Sequence, residues 1–112
     1  MNGYSLQISL AAVELIKKQQ GLSLEKYRDA QGVWVIGYGH VIRAWERFDI
    51  IITPDDAEML LENDLRICEA LLRENITRPL TQRQHDTLVA WIFSLGDTPL
   101  SETALHQAVM RV

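Results

Sequence analysis

Gln20-Gly-Leu-Ser-Leu-Glu-Lys-Tyr-Arg-Asp-Ala-Gln-Gly-Val-Trp-Val-Ile-Gly-Tyr-Gly-His40 is the stretch on which the fold turns. It opens on a helix stop. Gly21 follows a run of helix formers and takes the left-handed backbone that ends helices. Leu22, Leu24 and Tyr27 predict a first strand, and Asp29-Ala-Gln-Gly32 supplies a turn. Val33 to Ile36, β-branched and aromatic, predicts the returning strand. Gly37 and Gly39 bracket Tyr38, where the backbone must bend or pass closely. The order is helix end, acidic turn, strand, glycine-rich bend, histidine.

Outward on the N-terminal side, Met1 to Leu6 reads as a loose lead-in. Ser9 is a helix cap, and Leu10, Val13 and Ile16 or Lys17 follow at helical spacing, with Leu6 behind them. That helix stops at Gly21, so Gln20 sits in its last turn. On the other side, Val41 to Ile52 admits two readings. The alternation of Phe48, Ile50 and Ile52 predicts a third strand or an extended return, while Trp45 to Arg47 fits a short helix. Thr53-Pro54-Asp55-Asp56 is a strong helix start, with a cap, a first-turn proline and two acids at the positive end of the helix dipole. Ala57, Leu60, Leu61, Asp64, Leu65, Cys68, Leu71 and Leu72 trace one face to about Glu74. Asn75 to Leu80 is a connector broken by Pro79. Thr81 with Gln84 forms a capping box. The next helix, Gln82 to Leu95, is apolar nearly all round, which predicts burial on every side. Gly96 ends it, and Ser101 opens a last helix carrying Ala104, Leu105, Ala108 and Val109.

The 112 residues bound one domain, 1–112, with an adequate core, and the 47% apolar content is ordinary for a globular chain. A net charge of -4 gives no reason to expect nucleic acid. The single cysteine, Cys68, excludes an internal disulfide and reads as a small core residue. Met1 to Lys18 lacks a basic start and an unbroken apolar run. The expectation is therefore no signal peptide, no membrane span and a cytoplasmic site of synthesis.

Several motifs resemble the phage-type lysozymes, which are muramidases. Gln20-Gly21-Leu22, Tyr27, Asp29, Gly32 and Ile36-Gly-Tyr-Gly-His40 are similar to that family's Glu-Gly, aromatic, Asp, Gly and Thr-Ile-Gly-Tyr-Gly-His. Thr53 to Glu58, Leu80-Thr-Gln-Arg-Gln-His-Asp86 and Trp91-Ile-Phe-Ser-Leu-Gly96 resemble its later segments. The likeness runs from about Ser9 to Val112. It implies an α+β, lysozyme-like fold with a small β-hairpin lobe at about 22–52. A helical lobe of 53–112 plus helix 9–20 completes it, and a long helix joins the two. It also implies further family helices after the one that starts near Ser101, whereas this sequence ends at Val112.

Hydrolysis of a glycosidic bond needs a proton donor at the leaving oxygen and a carboxylate across the sugar. The resemblance places the family's acid Glu, its Asp and its water-positioning Thr at Gln20, Asp29 and Val35. Only Asp29 matches. A glutamine amide has no proton to donate near neutral pH, and valine lacks the threonine hydroxyl. Glu14 lies below the helix end and Glu25 out of phase on the hairpin, so neither replaces the acid. Asp29 also reads plainly as a turn residue bonding local backbone N–H groups. The likeness implies substrate contacts at Gln20, Tyr38 and Ser94, with Ser94 standing where the family has Asn. It implies too that His40 pairs with Asp64, tying the hairpin to the long helix. A metal role for His40 lacks paired ligand spacing, since His85 and His106 fall on other helices; a catalytic-base role is a further reading that nothing in the sequence supports. The Trp91-Ile-Phe93 run reads as core.

Two functions follow. One is a degenerate lysozyme-like domain without muramidase activity, binding peptidoglycan glycan or a protein partner. The other is an active endolysin-type muramidase using a displaced general acid. Neither calls for a cofactor or metal. The excess of apolar surface on the 82–95 helix predicts a homo-oligomer formed through the helical end.

Overall fold

The computed structural model describes residues 6–112. It is an α+β fold with four helices and one three-stranded antiparallel sheet. The order is α1 (Leu10–Gln20), β1 (Ser23–Arg28), β2 (Trp34–Gly37), β3 (His40–Val41), α2 (Pro54–Asn75), α3 (Gln82–Ser94) and α4 (Glu102–Arg111). The lead-in read for Met1 to Leu6 lies almost wholly outside the described residues.

Each helix begins where an oxygen-bearing side chain satisfies otherwise free N–H groups. Ser9 caps α1 and accepts from the Ala12 N–H, and Ser101 caps α4 in the same way through Ala104. Thr53 and Asp56 form a reciprocal capping box on α2, as do Thr81 and Gln84 on α3. Gly21 ends α1 at φ 72°, its N–H donating to the Lys17 carbonyl. That positive φ suits a residue without Cβ.

Strands β1 and β2 pair with Tyr27 opposite Val35 and Arg28 opposite Trp34, and the register slips between Ser23 and Tyr27. β3 pairs His40 with Ile36. The sheet therefore takes its third strand from the residues directly after the glycine bend. The segment 42–53 is neither strand nor helix. It makes one turn, with the Glu46 N–H donating to the Arg43 carbonyl. It then returns extended, and the Ile52 N–H donates to the Leu24 carbonyl at 3.0 Å. Trp45 and Ile50 are over 80% exposed on it, so its alternating apolar residues do not all face the core.

Two apolar clusters meet along α2. Ile36, Ile52 and Ala57 form the smaller one beneath the sheet. The larger gathers Ile16, Leu61, Leu65, Leu72, Leu88 and Leu105 from all four helices. Tyr38 packs against both. Gly37 is where sheet meets helix, since a Cβ there would sit 3.4 Å from that of Ala57. Two expectations about burial need correction. Leu10 is 84% exposed, because α1 rests on its neighbours through Ile16 alone as a fully buried side chain. Helix α3 is not enclosed. Its buried face is His85, Leu88, Val89 and Ile92, while Trp91 and Phe93 are half-buried. Its apolar residues outnumber what α1, α2 and α4 cover.

Candidate functional site

The end of α1, the glycine bend and the end of α3 converge between the sheet and the helices. Gln20 is exposed on the last turn of α1, and its amide lies directly on Gly39. A Cβ built on Gly39 would meet Gln20 Oε1, and Gly39 itself has φ 78°. Backbone conformation favours glycine at that position, and the absence of a Cβ lets the Gln20 side chain lie there. Val35 on β2 is 5% exposed, on the opposite face of the strand from the core residue Ile36, and its side chain offers no hydroxyl.

Asp29 turns inward on its own loop. Its Oδ1 accepts from the backbone N–H groups of Gln31 and Val33, both at 2.9 Å. One carboxylate oxygen is thereby held by the turn that links β1 to β2. Ser94 is exposed, and its hydroxyl donates to the Trp91 carbonyl of its own helix at 2.6 Å. Tyr38 is half-buried, with the Lys17 ammonium 5.6 Å from its ring centre. Glu14, one candidate for a displaced acid, is an exposed ion-pair partner of Lys17 at 3.2 Å. Lys17 also reaches Glu58, whose hydrogen bond is the main cause of its raised pKa. Glu25 is exposed on β1.

Beside Gly39 a cavity of about 110 Å³ opens between β3 and the end of α3, lined by Val41, Asp64, Ile92, Phe93 and Gly96. Arg43 crosses its mouth to Asp97 at 3.5 Å, joining sheet-side chain to helix-side chain. Cys68 forms part of its wall, and burial followed by the nearby Asp64 and Glu69 charges pushes the thiol up to about 12. It is therefore an unreactive wall residue at neutral pH.

His40 anchors the bend to α2. Its Nδ1 lies 2.8 Å from Asp64 Oδ2, and its Nε2 lies 2.9 and 3.0 Å from the two oxygens of Glu46. Burial works against charge on this imidazole, but Asp64 and Glu46 outweigh it and hold its pKa above the ordinary value. Glu46 also accepts from the Arg43 N–H at 2.7 Å. Sequence reasoning missed Glu46, because it lies in a segment without period and carries no motif. No group of three or more acidic, histidine or cysteine side chains among the described residues is arranged to hold a metal ion.

The profile of the phage lysozyme family matches residues 17–111. The chain belongs to that family. It is 35% identical over 100 residues to an endolysin of Acyrthosiphon pisum secondary endosymbiont phage 1, covering 89% of this chain and 67% of that one. Against the endolysin of Salmonella phage P22 the identity is 30% over 106 residues, covering 91% and 73%. A crystal structure attributed to a phage endolysin from S. enterica superposes with a TM-score of 0.73 at 45% identity, covering 85% of this chain and all of that one. The muramidase domain of SpmX from Asticaccaulis excentricus superposes at 0.68 with 37% identity, covering 90% and 64%. A lysozyme-like, peptidoglycan-related function follows from the family. No helix among the described residues is long and apolar enough to cross a membrane.

Proposed function

We propose that this phage lysozyme family member binds peptidoglycan glycan without cleaving it. The observation that carries the reading is Gln20 seated on Gly39. At the position where the family resemblance puts the general acid, the group presented is an amide that cannot donate a proton in the reaction. Two further observations agree. Val35 is a buried hydrocarbon at the water-positioning place, and Asp29 is bonded to its own turn. General acid catalysis alone is worth roughly 10²–10⁴-fold, so its loss is severe before the others are added.

The test compares the natural chain with a Gln20→Glu, Val35→Thr double variant. Purified natural protein should co-sediment with insoluble peptidoglycan and release no reducing ends above buffer. The double variant should release them. Reducing-end release by the natural chain that disappears in Asp29→Asn would defeat the reading and establish an active muramidase with a displaced acid. Failure of both chains to co-sediment would exclude the glycan and leave a protein partner. A second copy of the chain is the partner we propose for the helical end, where Met110 of α4 is 85% exposed beside Val109 and Ile76.

A further inference from the structure

The segment before α1 is fastened across the joint between α2 and α3. The Ile8 N–H donates to Glu69 Oε2 at 2.8 Å. The Ser9 N–H and hydroxyl donate to the two oxygens of Asp86 at 3.0 and 2.7 Å. Gln82 Nε2 donates to the Gln7 carbonyl at 2.7 Å and to Asp86 Oδ1 at 2.8 Å. Three of the bonds that hold the segment therefore end on carboxylates. Ser9 is also the cap of α1, accepting from the Ala12 N–H at 3.2 Å, so the same contacts fix where that helix begins.

Beside these carboxylates lies His85, 4% exposed, on the turn of α3 that carries Asp86. Among the described residues, neither of its ring nitrogens has a hydrogen-bond partner. Nε2 is 3.6 Å from Glu69 Oε2 and Nδ1 is 4.0 Å from Asp86 Oδ1. The charged groups acting on the ring are Glu69 and Arg73 from α2 and Asp86 from α3, and the crossing residues Gln7, Ile8 and Ser9 bring none. The two carboxylates nearest to the imidazole are thus already engaged by the segment. A neutral ring leaves them so. An imidazolium has two N–H donors, and Glu69 Oε2 and Asp86 Oδ1 are carboxylate oxygens that stand near them.

We propose that Gln7–Ser9 is a proton-operated latch, in which protonation of His85 draws Glu69 and Asp86 away from the Ile8 and Ser9 amides and frees the segment and the start of α1 from the helical lobe. The two buried histidines of this chain set the sign. His40 is bonded directly to its carboxylates in the fold, which favours its charged form. His85 stands short of bonding distance, so burial dominates over the attraction of Glu69 and Asp86 and its pKa is depressed. A histidine with a depressed folded pKa favours the closed state at high pH. That preference is lost as pH falls below the unfolded value. Asp86 behaves differently. Burial raises its pKa, the Ser9 and Gln82 bonds more than offset this, and the net value lies below the ordinary carboxylate range. Its own protonation would open the latch only in much stronger acid.

Amide exchange of the whole chain by NMR, corrected for intrinsic rates, tests the latch. Protection of the Ile8 and Ser9 amides should fall about tenfold or more between about pH 7.5 and about pH 5, the range in which an imidazole gains its proton. The Leu65 and Leu88 amides should hold theirs. In His85→Phe the fall should be absent. Unchanged protection in the natural chain overturns the proposal. So does an equal fall in His85→Phe, which would assign the opening to the carboxylates. Should that variant fail to fold, the His85 ring titration in the natural chain decides. Protection of Ile8 and Ser9 must fall as pH drops towards that midpoint and level off below it, and a fall that continues well below the midpoint overturns the latch.

Discussion

At the scale of single residues, His40 and Gln20 divide the work of the bend. His40 is a structural tie whose worth depends on charge. Its folded pKa is raised, so its contribution is complete below the unfolded value and is lost as pH rises through the folded one. His40→Asn should therefore lower the melting temperature more at about pH 5 than at about pH 9, measured against the natural chain at each pH. Equal losses at both would mean that the Asp64 and Glu46 contacts do not favour the imidazolium. Gln20 is legible in the sequence as a helix-end residue before a glycine. Its seat on Gly39 is not, because the contact joins residues on opposite sides of the hairpin and nothing local encodes it. Glu46 and Glu69 share that obscurity. Each is a charged residue in an unremarkable setting whose partner lies far along the chain or on another element.

At the scale of elements, the helix starts were readable because a cap is a local event. Thr53, Thr81, Ser9 and Ser101 each accept from the N–H three residues ahead. Thr53→Ala removes the acceptor for the Asp56 N–H and should cost about 1 kcal/mol of stability by urea unfolding. A loss indistinguishable from zero would mean that water or Asp56 replaces the cap at no cost. The third strand was harder. The β-branched run at 48–52 has strand composition, yet the strand is His40–Val41, which follows the glycine bend. A turn that tight brings the next two residues alongside β2 before the later segment can compete. The Trp45–Arg47 piece likewise became part of a turn and return, with its Trp in solvent.

At the scale of the molecule, the α3 surface sets the remaining prediction. Helix α3 has more apolar side chains than its neighbours cover, and Met110 of α4 stands 85% exposed. If a second copy closes this end, light scattering at micromolar concentration should report a dimer, and Met110→Glu should return it to monomer. A monomer across that range in the natural chain would count against self-association. By itself, the sequence determined the helices with their caps, the hairpin and its acidic turn, and the family to which the chain belongs. All of these rest on residues close together in the chain, where spacing and backbone preference act directly. Only the tertiary structure decided which face of α3 is buried, that Glu46 completes the His40 tie, and that Gln7–Ser9 is clasped by Glu69, Gln82 and Asp86. Those outcomes depend on carboxylates, imidazoles and helix faces brought together across the chain, and neither periodicity nor propensity carries such information.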